Sequence, residues 1–126
     1  MRPDSWIATD MARYERSRRI SRATADRHGI AVRYFWQPNR FTRPLVAKEP
    51  HRDGASENRG RTDEQMLRNL VPPDVVDLGD VLDDHLEPTY TDDVHHNEAG
   101  ARIIAAGIYA RIEGDLEALV GTRPRR

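Results

Sequence analysis

One short run of this sequence contains side chains that could act as acid, base and helix cap. Asp92 and His95 stand three positions apart, and Asn97 and Glu98 follow directly. In a turn-like segment, a carboxylate at this spacing can fold back onto the imidazole Nδ1, which fixes the tautomer and stabilises the imidazolium formed during catalysis. Asp92 and His95 are therefore predicted to be the carboxylate and the base of a nucleophilic triad.

A helix predicted to start at about Glu98 positions the histidine. Asn97 is a favoured N-cap residue, and an acidic side chain suits the positive end of the helix dipole. The same positive end disfavours imidazolium, so it helps to keep His95 neutral and able to accept a proton. The apolar residues at helical spacing are Ile103, Ile104, Ile108, Ile112, Leu116, Leu119 and Val120.

The segment 92–95, followed by 97–100 and an amphipathic helix, resembles the C-terminal catalytic block of the SGNH (GDSL-type) hydrolases. The resemblance is strongest from about Val75 to Ile112 and is fainter back to the first helix. It implies an α/β, flavodoxin-like three-layer fold, of which this chain would be the C-terminal half, with about two parallel strands and flanking helices.

In that family the block supplies the aspartate and histidine of a Ser-His-Asp triad, and the matching positions here are Asp92 and His95. The resemblance also implies small ester substrates, such as acylated carbohydrates, and neither a metal nor an organic cofactor. The family's serine belongs to a Gly-Asp-Ser motif after the first strand, and glycine and asparagine oxyanion donors follow the next two strands. None of these blocks is recognisable in this sequence.

Ser5 follows an aspartate, but no strand and no glycine precede it, and the chain before Asp92 is too short to hold three further strands. We therefore reject Ser5 as the nucleophile. The predicted function is the C-terminal part of a serine-dependent ester hydrolase whose nucleophilic serine lies outside this chain. The alternative is a non-catalytic remnant or interaction module of the same fold.

The other ionisable residues near the pair are expected to have supporting roles. Adjacent residues point in different directions, so Asp93 and His96 should support the pair or face solvent, and His28 and His85 should be surface histidines. A less favoured alternative is a metal site, although the spacing fits no common metal motif. Its candidate ligands are Asp92, Asp93, His95, His96 and His85.

The first half of the sequence predicts a helix and then a strand. The helix should run from Thr9 or Asp10 to about His28 and end at Gly29, where a left-handed residue is favoured. Residues 30–36 are rich in β-branched and aromatic side chains and predict the strand. If its neighbour is missing, this strand has an open edge, which predicts a complementing chain or self-association.

The segment 39–61 is predicted to be a long loop. In a parallel sheet such a loop leaves the carboxyl end of a strand, so it could line a substrate site with Arg43, Lys48 and His51. For each of these residues taken singly, a mobile position in solvent is the favoured alternative. Thr62 and Gln65 have capping-box spacing and predict a short second helix, and residues 75–78 predict a second strand. Together these elements predict a right-handed parallel βαβ unit.

Composition limits the remaining classes. The 126 residues predict one partial domain over 1–126, with flexible ends at 1–8 and 121–126. A formal net charge of −1 argues against nucleic acid as the main partner, and the absence of cysteine excludes a disulfide framework. The sequence has neither an apolar run of membrane-spanning length nor the apolar core of a signal peptide, which predicts a soluble chain of undetermined compartment.

Overall fold

The computed structural model of the chain describes residues 4–46, 49 and 53–121. Of these, residues 4 and 5 are described by their backbone alone. These residues form three helices, a 3₁₀ turn and a two-stranded parallel sheet. The predicted coarse class, an α/β chain with two parallel strands and flanking helices, is therefore confirmed. The elements are α1 (Asp4–Arg27), β1 (Tyr34–Trp36), the 3₁₀ turn (Arg40–Thr42), α2 (Gly54–Arg68), β2 (Val75–Asp77) and α3 (Glu98–Gly121).

The described residues divide into two compact units, whereas the sequence predicted one domain. The first unit comprises the described residues of Met1–Trp36 and His51–Asp77, which include α1, α2 and the sheet. The second comprises those of Gln37–Pro50 and Leu78–Arg126, which include the 3₁₀ turn and α3.

Helix α1 starts earlier than predicted. It begins at Asp4 instead of Thr9 or Asp10, so residues 4–8 are helical and not a flexible end. Ile7 is 3% exposed, which explains why the first turns are ordered. The helix ends near its predicted position, and Gly29 has a φ of +64°, the left-handed conformation that suits glycine after a helix. Of the C-terminal end predicted to be flexible, Gly121 is the last residue of α3. The other residues predicted to be flexible, 1–3 and 122–126, lie outside the described residues.

The sheet is parallel, as predicted, but both strands are shorter than expected. Tyr34 pairs with Val75 and Trp36 with Asp77, so three residues of each strand form the ladder. The strand predicted over 30–36 begins only at Tyr34. The first residue of the predicted strand belongs instead to the end of α1, because the Ile30 N–H donates to the carbonyl of Ala25 at 2.9 Å.

Helix α2 occupies part of the predicted loop 39–61. It begins at Gly54, where the carboxylate of Asp53 accepts the Ser56 N–H at 3.0 Å as the N-cap. Thr62, predicted to be the N-cap, lies inside the helix and donates its hydroxyl to the carbonyl of Asn58. The prediction was wrong because two glycines were interpreted as loop residues, although the Asp53 cap stabilises this turn as a helix.

Trp36 joins the sheet to both helices of the first unit. Its indole N–H donates to the buried carboxylate of Glu64 on α2 at 3.0 Å. Its ring meets the ring of Tyr14 on α1 edge to face, with the centroids 5.7 Å apart. These contacts stabilise a sheet in which only three residue pairs join the two strands.

In the second unit, α3 packs through its first turns. Leu78 and Leu82 are 1% and 0% exposed, and Val81 lies close to Gly107 of α3. A side chain at position 100 has no room, because its Cβ would lie 2.5 Å from the carbonyl oxygen of Thr89. Among the described residues, no helix combines the length and the apolar character needed to cross a bilayer.

The substitution Gly100→Ala should separate α3 from Thr89 and destabilise the second unit by about 1–3 kcal/mol, because backbone must move to admit the methyl group. Gly114→Ala is the matched control, since its added Cβ would meet nothing within 4 Å. It should stabilise the helix by up to about 1 kcal/mol. Urea unfolding of the two variants measures both effects, and equal changes would contradict close packing at position 100.

Candidate active site

The structure brings Asp92 and His95 together in a tight turn. One carboxylate oxygen of Asp92, Oδ1, accepts the backbone N–H of Val94 at 2.9 Å and that of His95 at 2.8 Å. The other oxygen, Oδ2, lies 2.6 Å from His95 Nδ1. Each carboxylate oxygen thus has its own partners, and the imidazole is oriented by its Nδ1.

The environment of Asp92 favours its ionised form. The backbone N–H of His95, then that of Val94, and then the His95 side chain lower the pKa of Asp92 to about 2 from an ordinary 3.8. The carboxylate is therefore ionised at neutral pH and accepts a proton held on Nδ1. Nε2 of His95 is then the ring nitrogen that can take a proton from another group.

A capped helix start follows the turn, as predicted. The Asn97 side chain accepts the Gly100 N–H at 3.0 Å and donates to the carbonyl of Pro88 at 2.7 Å. Helix α3 begins at Glu98. His95 therefore lies just outside the N-terminal end of this helix.

Backbone hydrogen bonds close the turn on itself. The N–H and the hydroxyl of Thr91 both donate to the carbonyl of His95, at 2.9 and 3.1 Å. The N–H of Asn97 donates to the carbonyl of Thr89 at 2.9 Å, and Tyr90 forms an antiparallel bridge with His96. The pair thus occupies the tip of a closed loop whose base is Thr89.

Asp93, next to the pair in sequence, binds a buried arginine. Nε and Nη2 of Arg40 donate to the Asp93 carboxylate at 3.1 and 2.9 Å, and the Arg40 N–H donates to the Asp93 carbonyl at 3.0 Å. The Arg40 side chain is 2% exposed. The expectation that Asp93 has a supporting role therefore agrees with its contacts.

Thr89 is held by a buried pair of opposite charges. Glu49 accepts the N–H groups of Thr89 and Tyr90 at 2.7 and 3.3 Å, and Arg43 donates to the Thr89 hydroxyl and to the carbonyl of His85. The side chains of Arg43 and Glu49 are each 1% exposed. Arg43, for which the sequence left a substrate contact or a position in solvent open, is therefore buried and structural. Lys48 and His51, predicted with it, lie outside the described residues.

His96 packs on a neighbouring aromatic ring. Its ring centroid lies 4.5 Å from that of Tyr90, and its Nδ1 is 3.5 Å from the side-chain nitrogen of Gln37. Burial lowers the pKa of His96, against an opposing hydrogen bond with the backbone of Pro38. His96 accordingly packs against Tyr90, in contrast to the exposed His95.

The five candidate metal ligands of the alternative interpretation do not converge. Asp93 binds Arg40, Asp92 binds His95, and His96 packs on an aromatic ring. Within the part of the chain that the structure describes, which includes all five, no three histidine or acidic side chains are arranged to hold a metal ion. The geometry therefore does not favour the metal interpretation.

Sequence reasoning missed Arg40 and Glu49. Arg40 is 53 residues from Asp93, and Glu49 is 40 residues from Thr89. Both come from the predicted loop, which has neither hydrophobic periodicity nor a motif. The one signal in the sequence was the number of charged residues in a long loop, because such residues can form buried ion pairs that hold the loop in place.

Comparisons with protein-family models, with curated proteins and with solved structures find no match to this chain. The resemblance to the SGNH hydrolases therefore stays a prediction, as do the catalytic roles of Asp92 and His95.

Replacing Asp92 with asparagine should reverse the tautomer of His95. The amide Nδ2 donates where the carboxylate accepts, so Nδ1 would lose its proton to Nε2. The ¹⁵N chemical shifts of the imidazole report the tautomer directly. Asp84→Asn, the same change at an exposed acidic residue, should leave these shifts unchanged, and an unchanged His95 in Asp92→Asn would contradict the observed contact.

The turn should also lose order in acid. Because the pKa of Asp92 is lowered to about 2, its stabilising effect is complete above its ordinary 3.8 and is lost as the pH falls through about 2. The side-chain ¹³C shift of Asp92 should therefore titrate near pH 2, and the Val94 and His95 amide protons should shift with it. Titration of this carboxylate near pH 4 would contradict the hydrogen bonds.

Proposed function

We propose that this chain is the C-terminal part of a serine-dependent ester hydrolase of the SGNH type, to which it contributes the Asp-His half of the triad. The observation that supports this most directly is the 2.6 Å contact between Asp92 Oδ2 and His95 Nδ1 in front of a capped helix. A carboxylate held by backbone N–H groups that orients a histidine through Nδ1 is the arrangement that a nucleophilic serine requires.

In the proposed reaction, His95 Nε2 removes the proton from a serine hydroxyl as its oxygen attacks the ester carbonyl. Asp92 stabilises the imidazolium that forms. The same proton then passes to the leaving alcohol, and the acyl group stays on the serine. Water, deprotonated by His95, releases the acid and regenerates the serine. The serine and the oxyanion donors belong to elements outside this chain, in agreement with the rejection of Ser5.

The exposure of Asp92 and His95 is consistent with a serine that comes from another segment. The side chains of His95 and Asp92 are 76% and 54% exposed, so a serine carried by another segment can approach Nε2. The substrate class follows from the resemblance alone and is a small ester, such as an acylated carbohydrate. The chemistry of the triad uses no metal and no organic cofactor.

The second candidate function is an interaction module of the same fold without catalysis. It is favoured by the large apolar side chains that the second unit leaves exposed, which include Leu86 at 81% and Val94 at 52%. Such side chains suit contact with a partner chain. The two functions differ in whether a supplied serine becomes active.

A fusion experiment distinguishes the two functions. The full chain is fused to the serine-bearing half of an SGNH hydrolase from which the Asp-His block has been deleted, and hydrolysis of p-nitrophenyl acetate is measured. We expect His95→Ala to abolish the hydrolysis that the fusion restores, and Asp92→Asn to lower it by about 10⁴-fold, because the wrong tautomer faces the serine. A folded fusion without activity would favour the interaction module.

The unfused chain serves as the control for the nucleophile. Wild type and Ser5→Ala should hydrolyse the ester at the same slow rate, which an exposed imidazole produces without a serine. Loss of activity in both His95→Ala and Ser5→Ala would instead make Ser5 the nucleophile and this chain a complete esterase. Circular dichroism at matched protein concentration confirms that each variant is folded.

A further inference from the structure

Arg40 holds the middle of the Asp92–His95 turn by three hydrogen bonds to one residue. Its Nε and Nη2 donate to Asp93 Oδ1 at 3.1 and 2.9 Å, and its backbone N–H donates to the Asp93 carbonyl at 3.0 Å. The guanidinium also lies over the ring of Phe41, 4.6 Å from its centroid. With its side chain 2% exposed, Arg40 has little freedom to follow a moving turn.

In sequence, Asp93 lies between the two residues Asp92 and Val94, whose hydrogen bond helps to form the turn. On one side is Asp92, whose carboxylate accepts two N–H groups, and on the other is Val94, which donates one of them. Holding both the carbonyl and the carboxylate of Asp93 restricts the two peptide groups that flank it. The direction of the Asp92 carboxylate depends on those peptide groups.

The pair needs such an anchor because water surrounds it. A contact between side chains that are 76% and 54% exposed is weak when both side chains are free to move. The entropy lost on forming it falls when the backbone that carries both groups is already fixed. The backbone hydrogen bonds of Thr91 and Asn97 fix the ends of the loop, whereas Arg40 binds its centre from the 3₁₀ turn.

We propose that Arg40 is a positioning residue, which acts through Asp93 to hold Asp92 and His95 in the geometry that catalysis requires. The catalytic part of this inference rests on the proposed function. The geometric part does not, because it concerns the order of the turn in the chain itself.

The test compares Arg40→Met, Arg40→Lys and the control Arg102→Met in the full chain. Arg102 is 77% exposed on α3 and pairs with Glu98 one turn away, so its replacement makes the same chemical change without touching the turn. Hydrogen exchange of the Val94 and His95 amides and the ¹⁵N shifts of the His95 ring are measured beside the melting temperature. These signals report the geometry of the turn and not merely the stability of the unit.

In Arg40→Met we expect the protection of the Val94 and His95 amides to fall at least tenfold relative to that of α3, and the His95 tautomers to become mixed. Arg40→Lys keeps the charge but lacks the planar guanidinium that places Nε and Nη2 on Asp93, so it should restore only part of the order. Arg102→Met should change neither signal. A lower melting temperature with unchanged relative protection and tautomer would make Arg40 merely structural and overturn the proposal.

If Arg40→Met does not fold, Asp93→Asn decides the question, since it replaces the charged acceptor by a neutral one of the same shape. The same loss of amide protection supports the proposal, and an ordered turn overturns it. In the active fusion, Arg40→Lys should lower kcat with KM unchanged. An inactive fusion with a disordered turn in these variants would refute the proposed function while supporting the positioning role.

Discussion

The second unit depends on a buried pair of opposite charges that meet at Thr89. Taking a guanidinium and a carboxylate out of water costs several kcal/mol for each ion unless hydrogen bonds replace the lost water. Arg43 and Glu49 lie 3.9 Å apart, too far for a direct hydrogen bond, and their polar atoms instead bind Thr89, Tyr90 and the carbonyl of His85. These hydrogen bonds therefore form only when the segment around Thr89 is in place.

Thr89 transmits this constraint to the candidate site. Its carbonyl accepts the N–H of Asn97 and lies where a side chain on Gly100 would clash, so it fixes the start of α3. Asn97 in turn caps that helix, immediately after His95. A buried ionic cluster thus sets the position of an exposed pair, a role in specifying one conformation that buried polar groups have in some proteins.

Local parts of this arrangement could be predicted from the sequence, and distant ones could not. The contact between Asp92 and His95 joins residues three positions apart, and so does the Asn97 cap. At this distance, spacing and residue type are enough to predict the contact. Arg40 and Glu49 act over 53 and 40 residues from a segment without periodicity. Arg43 shows the consequence, because an arginine in a loop was expected at a substrate or in solvent and is instead buried.

The same division explains the fold. Parallel pairing of the strands was predicted from element order, but their lengths were not, because Ile30 completes the end of α1 instead of joining the ladder. Helix α2 begins earlier than predicted, because Asp53 caps it at Gly54, in a glycine-containing segment that by propensity favours a loop. Propensity is a weak guide where a cap or a tertiary contact decides the local structure.

The exposure of the pair also limits what it can do alone. An oriented imidazole still needs a serine within about 3 Å and an environment from which water is largely excluded, because electrostatic stabilisation of the transition state is weak in bulk solvent. The chain supplies the orientation, through Asp92, but the His95 side chain is 76% exposed. Val94, inside the turn and 52% exposed, offers an apolar contact beside the pair. In the proposed hydrolase, the element that carries the serine would therefore also have to cover this turn, so that the contact which delivers the nucleophile would also exclude water.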